Sequence, residues 1–419
     1  MGRTSFLLMA MATLAMPAFV VGGVVPVAEA EVPVICRGHV ATIVGTNGND
    51  VLVGTPSRDV IAALDGEDRI FGRGGSDVIC AGPGSDLLFG DKGRDRIFAA
   101  SGILYGGRGD DHLEASGKAA GFRGGPGDDV LVNRTGLANF VAEPGHNTVR
   151  SLVAAHIQLI FDASPVGVHV DLVKGTVKGQ GLMTLDVAEG SDFDVFASPH
   201  ADVLRGSDGN DIFDEVGGGD FVSGRAGDDI LSTSRAGGHG SVVLHGGSGS
   251  DLLSFAWRSG QFNGGAGDDQ IYARVAPGSS AIGAGSGDNV LYLRLFRPGA
   301  SKAWHHARVD LEASRIDADG HVTPITGVFS QLHVATGGSA LRWTVNGTEG
   351  DDWLSGQAGS NGPWPPVVEH GRGGNDVLRT SNGNDTVWGG PGIDRASTGG
   401  GLDTCYSVET PRSCETISP

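Results

Sequence analysis

Nineteen aspartates in this 419-residue chain hold the same place in a nine-residue phrase. The phrase runs six times without a break from Gly45 to Phe98, as GTNGNDVLV, GTPSRDVIA, ALDGEDRIF, GRGGSDVIC, AGPGSDLLF and GDKGRDRIF. Its sixth residue is Asp50, Asp59, Asp68, Asp77, Asp86 or Asp95, and its eighth is Leu52, Ile61, Ile70, Ile79, Leu88 or Ile97. Later copies put Asp111, Asp129, Asp202, Asp211, Asp220, Asp229, Asp251, Asp269, Asp352, Asp376, Asp385, Asp394 and Asp403 in the sixth place. A carboxylate at the end of a crowded turn lies among backbone carbonyls, and a hard cation such as calcium takes about six to eight oxygens of these kinds. One aspartate in a turn is ordinary, since its side chain caps its own backbone. Nineteen in phase point to a metal.

Something must hold those carboxylates in line. A fixed short period means units that pack only on their neighbours. Glycine near positions one, two and four permits positive φ and a tight reversal, so the first six residues read as turn. The last three read as a short strand whose middle side chain points one way and whose outer two point the other. The expected class is all-β, a solenoid of stacked turns and strands.

The phrase resembles the GGxGxDxUx nonapeptide of the RTX (haemolysin-type) calcium-binding repeat. That resemblance implies a right-handed parallel β-roll with two nonapeptides to a coil and multiple Ca2+ ions between turns of successive coils. It places Asp50, Asp68 and Asp86 along one edge and Asp59, Asp77 and Asp95 along the other. Departures are local: Ser57 and His200 replace the fourth-position glycine, and Ala63 and Ala81 the first. In ASGKAAGFR and NRTGLANFV the count survives without the aspartate, so calcium is expected on one edge only beside Asp111 and Asp129.

The chain divides into a signal peptide (1–30), an N-terminal cap (31–44), three β-roll blocks (45–150, 197–292 and 347–404), two β-rich spacers (151–196 and 293–346) and a C-terminal cap (405–419). Arg3, the apolar run from Phe6 to Val25 and the Ala28-Glu29-Ala30 end read as a cleaved secretory signal. Each spacer contains Val-Asp-Leu in an alternating pattern, at Val170-Asp171-Leu172 and Val309-Asp310-Leu311. Both read as strands that continue the solenoid in longer coils, with their aspartates as surface residues.

Seventy-two glycines phased with aliphatics favour an ordered solenoid over disorder. The net charge of -19 comes mainly from 37 aspartates, against 12 glutamates. Such a surface repels nucleic acid and anionic membrane faces and attracts cations. Neighbouring coils about 4.8 Å apart bring like carboxylates close enough to repel by roughly 1 to 3 kcal/mol per pair. About ten dications, at two coils per ion, nearly cancel the charge, so calcium uptake and folding are expected to be coupled. Cys36 with Cys80 and Cys405 with Cys414 is the pairing that pins each end.

The sequence contains no HExxH and no Gly-x-Ser-x-Gly, and repeats with spacers use up nearly the whole mature chain. The reading is therefore a secreted, non-enzymatic calcium-binding protein with no membrane span once the signal is removed. In its signal and capping cysteines it is similar to calcium-binding proteins of high-GC Gram-positive bacteria. The alternatives are a calcium-dependent adhesin for cell-surface or matrix glycans, or a polysaccharide lyase or epimerase whose site lies in a spacer.

Overall fold

A computed structural model of the chain describes residues 32–217, 219–233, 240–256, 259–275, 280–295, 304–335, 342–357 and 364–418; the side chains of 215, 256, 275, 357 and 418 are also outside the description. The expected signal peptide, residues 1–30, lies outside the described residues. The chain from Val34 on forms one compact unit. Among the described residues every regular element is a strand, and no helix is long and apolar enough to cross a membrane.

Turn–strand units wind back and forth between two sheets. Among the described residues the first sheet has 18 strands, starting at Val51–Val53 and ending at Thr410–Arg412. The second starts at Ile43–Val44 and ends at Thr416–Ser418. Neighbouring rungs pair in parallel one coil apart, so Leu52 faces Ile70 and Ile70 faces Leu88, while Ile61 faces Ile79 and Ile79 faces Ile97. The fold is thus a parallel β-solenoid, all-β as expected.

The core follows from the three-residue strand. Only the eighth residue of each unit points between the sheets, and Ile61, Ile70, Ile79, Leu88 and Ile97 are fully buried there. In two adjacent coils whose units lack the aspartate, the inward residues are Phe122 and Phe140, which stack with ring centroids 4.9 Å apart. The N-terminal hairpin, Ile35–Cys36 against His39–Val40, covers outward residues of the second sheet. Cys36 is bonded there to Cys80, beside Val60, Val78 and Phe98. At the other end Cys405 points into the core and is bonded to Cys414.

Both spacers continue the solenoid, but not simply as longer coils. In the first, Leu182–Val187 pairs in parallel with His146–Ser151, then antiparallel with Thr176–Lys178, which pairs antiparallel with His169–Asp171. His169–Asp171 then pairs in parallel with Val203–Arg205 of the next block. The second spacer repeats this plan, with His321–Thr326, Arg315–Ala318 and Ala307–Asp310 standing between Ser280–Ser286 and Trp343–Asn346. The first sheet continues past these strands without extra rungs, through His156–Ile160 and Asp192–Phe196 in the first spacer and Phe329–Ala335 in the second. Each spacer therefore adds two extra rungs to the second sheet.

The Val-Asp-Leu aspartates close these hairpins and are buried, contrary to the surface position expected of them. Asp171 accepts from the Lys174 amide at 3.1 Å and its ammonium at 2.8 Å. Asp310 accepts from the Ala313 amide at 2.9 Å, Asn346 Nδ2 at 2.9 Å and the guanidiniums of Arg308 and Arg372. Asp310→Ala removes all of these at once. It is expected to lower stability by about 2 kcal/mol in chemical denaturation with calcium present; an unchanged midpoint would mean that the hairpin is held by packing alone.

Candidate metal centres

The sixth-position aspartates fall into two files, one at the corner where turns enter each sheet. In the first sheet the file holds Asp50, Asp68 and Asp86, then Asp211, Asp229, Asp251 and Asp269, then Asp352, Asp376 and Asp394. In the second it holds Asp59, Asp77, Asp95, Asp111 and Asp129, then Asp202 and Asp220, then Asp385 and Asp403. Hydrogen bonds define the order. The amide of each aspartate donates to Oδ1 of the one in the next coil, as from Asp50 to Asp68 at 2.8 Å and from Asp111 to Asp129 at 2.9 Å. Three irregular steps keep register: Asp95 reaches Asp111, 16 residues on, Asp229 reaches Asp251, 22 residues on, and Asp352 reaches Asp376, 24 residues on.

One oxygen is thus committed to the neighbouring rung, and the other is left over. Oδ2 is buried with no hydrogen-bond partner in Asp68, Asp77, Asp86, Asp95, Asp111, Asp129, Asp229, Asp251, Asp269, Asp376, Asp385, Asp394 and Asp403. In the six others, Asp50, Asp59, Asp202, Asp211, Asp220 and Asp352, the carboxylate accepts further hydrogen bonds from its own turn.

The surroundings of the open oxygen explain the repeat's glycines. A Cβ on Gly72, at position one, would lie 2.6 Å from Asp77 Oδ2 and 2.8 Å from the carbonyl oxygen of Gly90 in the next coil. The glycine keeps open a pocket walled by a carboxylate and stacked carbonyls. At position four, Gly84 has φ +148° and Gly93 +138°, conformations that side chains rarely adopt.

Burial pushes these carboxyls up, amide donors pull them partly back, and like-charged neighbours push again. Asp77, Asp86, Asp129 and Asp269 are raised to about 6, Asp95, Asp111 and Asp376 to about 7, and Asp229 to about 8. A file of buried, unpartnered carboxylates is stable only when neutralised. Among the described residues no three His, Cys, Asp or Glu side chains converge on one point. A cation here draws most of its ligands from backbone carbonyls, the donor set of a hard ion such as calcium and not of zinc. The residues present fit calcium.

Two residues of the carboxylate files escaped the reading of the sequence. Glu409 Oε2 accepts from the Asp394 amide and Glu415 Oε2 from the Asp403 amide, both at 2.6 Å, so each ends one file. The signal was there, as Glu-Thr at Glu409-Thr410 and again at Glu415-Thr416, but six residues apart instead of nine. Elsewhere amides end a run: Asn147 Oδ1 takes the Asp129 amide and Asn289 Oδ1 the Asp269 amide. His305 and His306 serve a hairpin, with both backbone amides donating to Asp319.

Files of half-satisfied carboxylates between stacked glycine turns define a calcium-binding β-solenoid. The sequence matches the family described as the RTX calcium-binding nonapeptide repeat (4 copies) over residues 44–79, 81–103, 102–117, 196–214, 216–235, 261–274, 344–361 and 370–405. The chain is an RTX-type calcium-binding repeat protein. No curated protein matches it.

Because the folded-state values are raised, the metal-free fold holds more protons than the unfolded chain between about pH 4 and 7. This stabilisation is complete below the unfolded value of about 4 and is lost as pH rises through the folded values. In chelator, circular dichroism is expected to show most β structure near pH 4 and least near pH 8, with calcium affinity rising over the same interval. A chelated β signal that grows with pH would contradict this.

Proposed function

We propose that this protein is a secreted structural solenoid whose coils are stapled by calcium, with no catalysis of its own. The observation that carries the proposal is the set of buried, unpartnered Oδ2 atoms in stacked files. Without a cation, each open turn keeps a carboxylate that is either charged and uncompensated or protonated. With one, the same oxygens bridge successive rungs, so calcium uptake is part of folding. The two disulfides are in keeping with an oxidising, extracellular setting, where calcium modules of weak affinity suffice. Calcium titration calorimetry on the mature chain, paired with far-ultraviolet circular dichroism, tests this. The expected result is multi-ion binding that coincides with gain of β structure at neutral pH. A full β spectrum in chelator at pH 7.5 would sink the coupling.

One observation favours an adhesive role as well. Among the described residues, the outward strand positions of the first sheet from Ile230 to Arg412 include Arg274, Arg294, Arg379, Arg395 and Arg412 but no carboxylate. Tyr272, Tyr292 and His333 stack along the same face, and the Arg379 guanidinium lies 4.8 Å from the Trp353 ring centroid. In a chain of charge -19 such a face suits an anionic glycan. Retention on immobilised polygalacturonate in calcium, weakened several-fold by changing Arg379, Arg395 and Arg412 to serine, is the expected result; retention unaffected by those changes counts against it.

A further inference from the structure

Five of the aspartate turns are built differently from the rest. Thr46, Thr55, Ser198, Ser207 and Thr348 stand at position two of their units, where half of the others have glycine. In each, the position-two amide donates to the carboxylate at 2.6 to 2.8 Å and the hydroxyl donates to it at 2.6 to 3.1 Å. The same hydroxyl accepts the position-four amide at 3.1 to 3.2 Å. The turn is closed by side-chain and backbone donors that fill the space an ion takes elsewhere.

Three independent features mark these turns as a separate class. First, none of their carboxylates has the buried, unpartnered oxygen of the open turns. Second, position four is not left-handed in any of them: Gly48, Gly209 and Gly350 lack the positive φ of their counterparts. The units that dispense with glycine there, at Ser57 and His200, are both of this class. Third, each lies at the head of a run, where the coil on its N-terminal side brings no aspartate to the corner. Asp50 and Asp59 follow the N-terminal cap. Asp202 and Asp211 follow the first spacer, against Val168 and Phe193, and Asp352 follows the second, beside the strand Phe329–Ala335. A hydroxyl at position two is not sufficient alone. Ser381 has one, yet Gly383 keeps φ +141° and Asp385 Oδ2 stays open, although that turn also follows a coil without an aspartate, at Val367.

We propose that these hydroxyls replace calcium in the first turns of five of the six runs, giving every block a head that closes without metal and on which the calcium-dependent turns then stack. The inference rests on the calcium reading of the open turns. It makes Thr or Ser at position two, together with a position four free of positive φ, the determinant that removes a metal site.

Paired substitutions in the full chain test it: Asp352→Asn and Thr348→Val in a closed turn against Asp376→Asn in the open turn stacked on it, with Asp50→Asn against Asp77→Asn as a second set should one variant fail to fold. Bound calcium is counted by equilibrium dialysis, and ions taken up on folding by the slope of log stability against log calcium concentration. The open-turn variants are expected to lose about one ion and about one unit of slope. The closed-turn variants should shift stability at every calcium concentration while keeping ion count and slope. Loss of an ion in Asp352→Asn or Thr348→Val, matching Asp376→Asn, overturns the inference and leaves the calcium reading standing. Unchanged counts in Asp376→Asn and Asp77→Asn defeat the calcium reading itself, and this inference with it.

Discussion

Like charges stacked one coil apart are the constraint that governs this molecule. Parallel strands set the rung spacing at about 4.8 Å, and the aspartates cannot move away from one another without breaking the amide bonds that hold the rungs in register. The aliphatic core offers little to offset that repulsion, because a three-residue strand buries one side chain. The glycines, the carbonyl-lined pockets and the raised carboxyls are consequences of the same geometry. In the function proposed above, calcium resolves it by bridging the rungs at the open turns.

That arrangement was largely legible in the sequence, because period, turn and inward residue repeat without ambiguity. Ile70 and Ile79 could be assigned to the core from spacing, and Asp68 and Asp77 to opposite corners from the resemblance to the RTX repeat. What spacing could not give is how the chain keeps register when the count changes. Asp95 meets Asp111 across 16 residues because the strand Ser101–Arg108 is reached by a shortened turn. Glu409 and Glu415 join the files although the unit has shrunk and the acid has lengthened by a methylene.

The spacers were harder for a different reason. Alternation identified strands, but whether they extend a coil or fold back on the sheet depends on turn hydrogen bonds that alternation does not encode. Asp171 and Asp310 supply those bonds, and an aspartate in a polar turn gives no sign that it will be buried. The two kinds of aspartate turn were likewise hidden behind one motif: Ser57 and His200 looked like flaws in the repeat, whereas each belongs to a turn that has no need of glycine.

The ends complete the picture. Cys36–Cys80 ties a hairpin over the outer face of the second sheet, and Cys405–Cys414 fastens the last inward residue of that sheet to the C-terminal segment. The central claim is most directly tested by diffraction from calcium-grown crystals, with anomalous scattering used to locate the ions. The account predicts peaks between stacked turns, within bonding distance of Oδ2 in the open aspartates such as Asp77, Asp111 and Asp251. Turns without ions, their carboxylates paired with water or lysine instead, would contradict it.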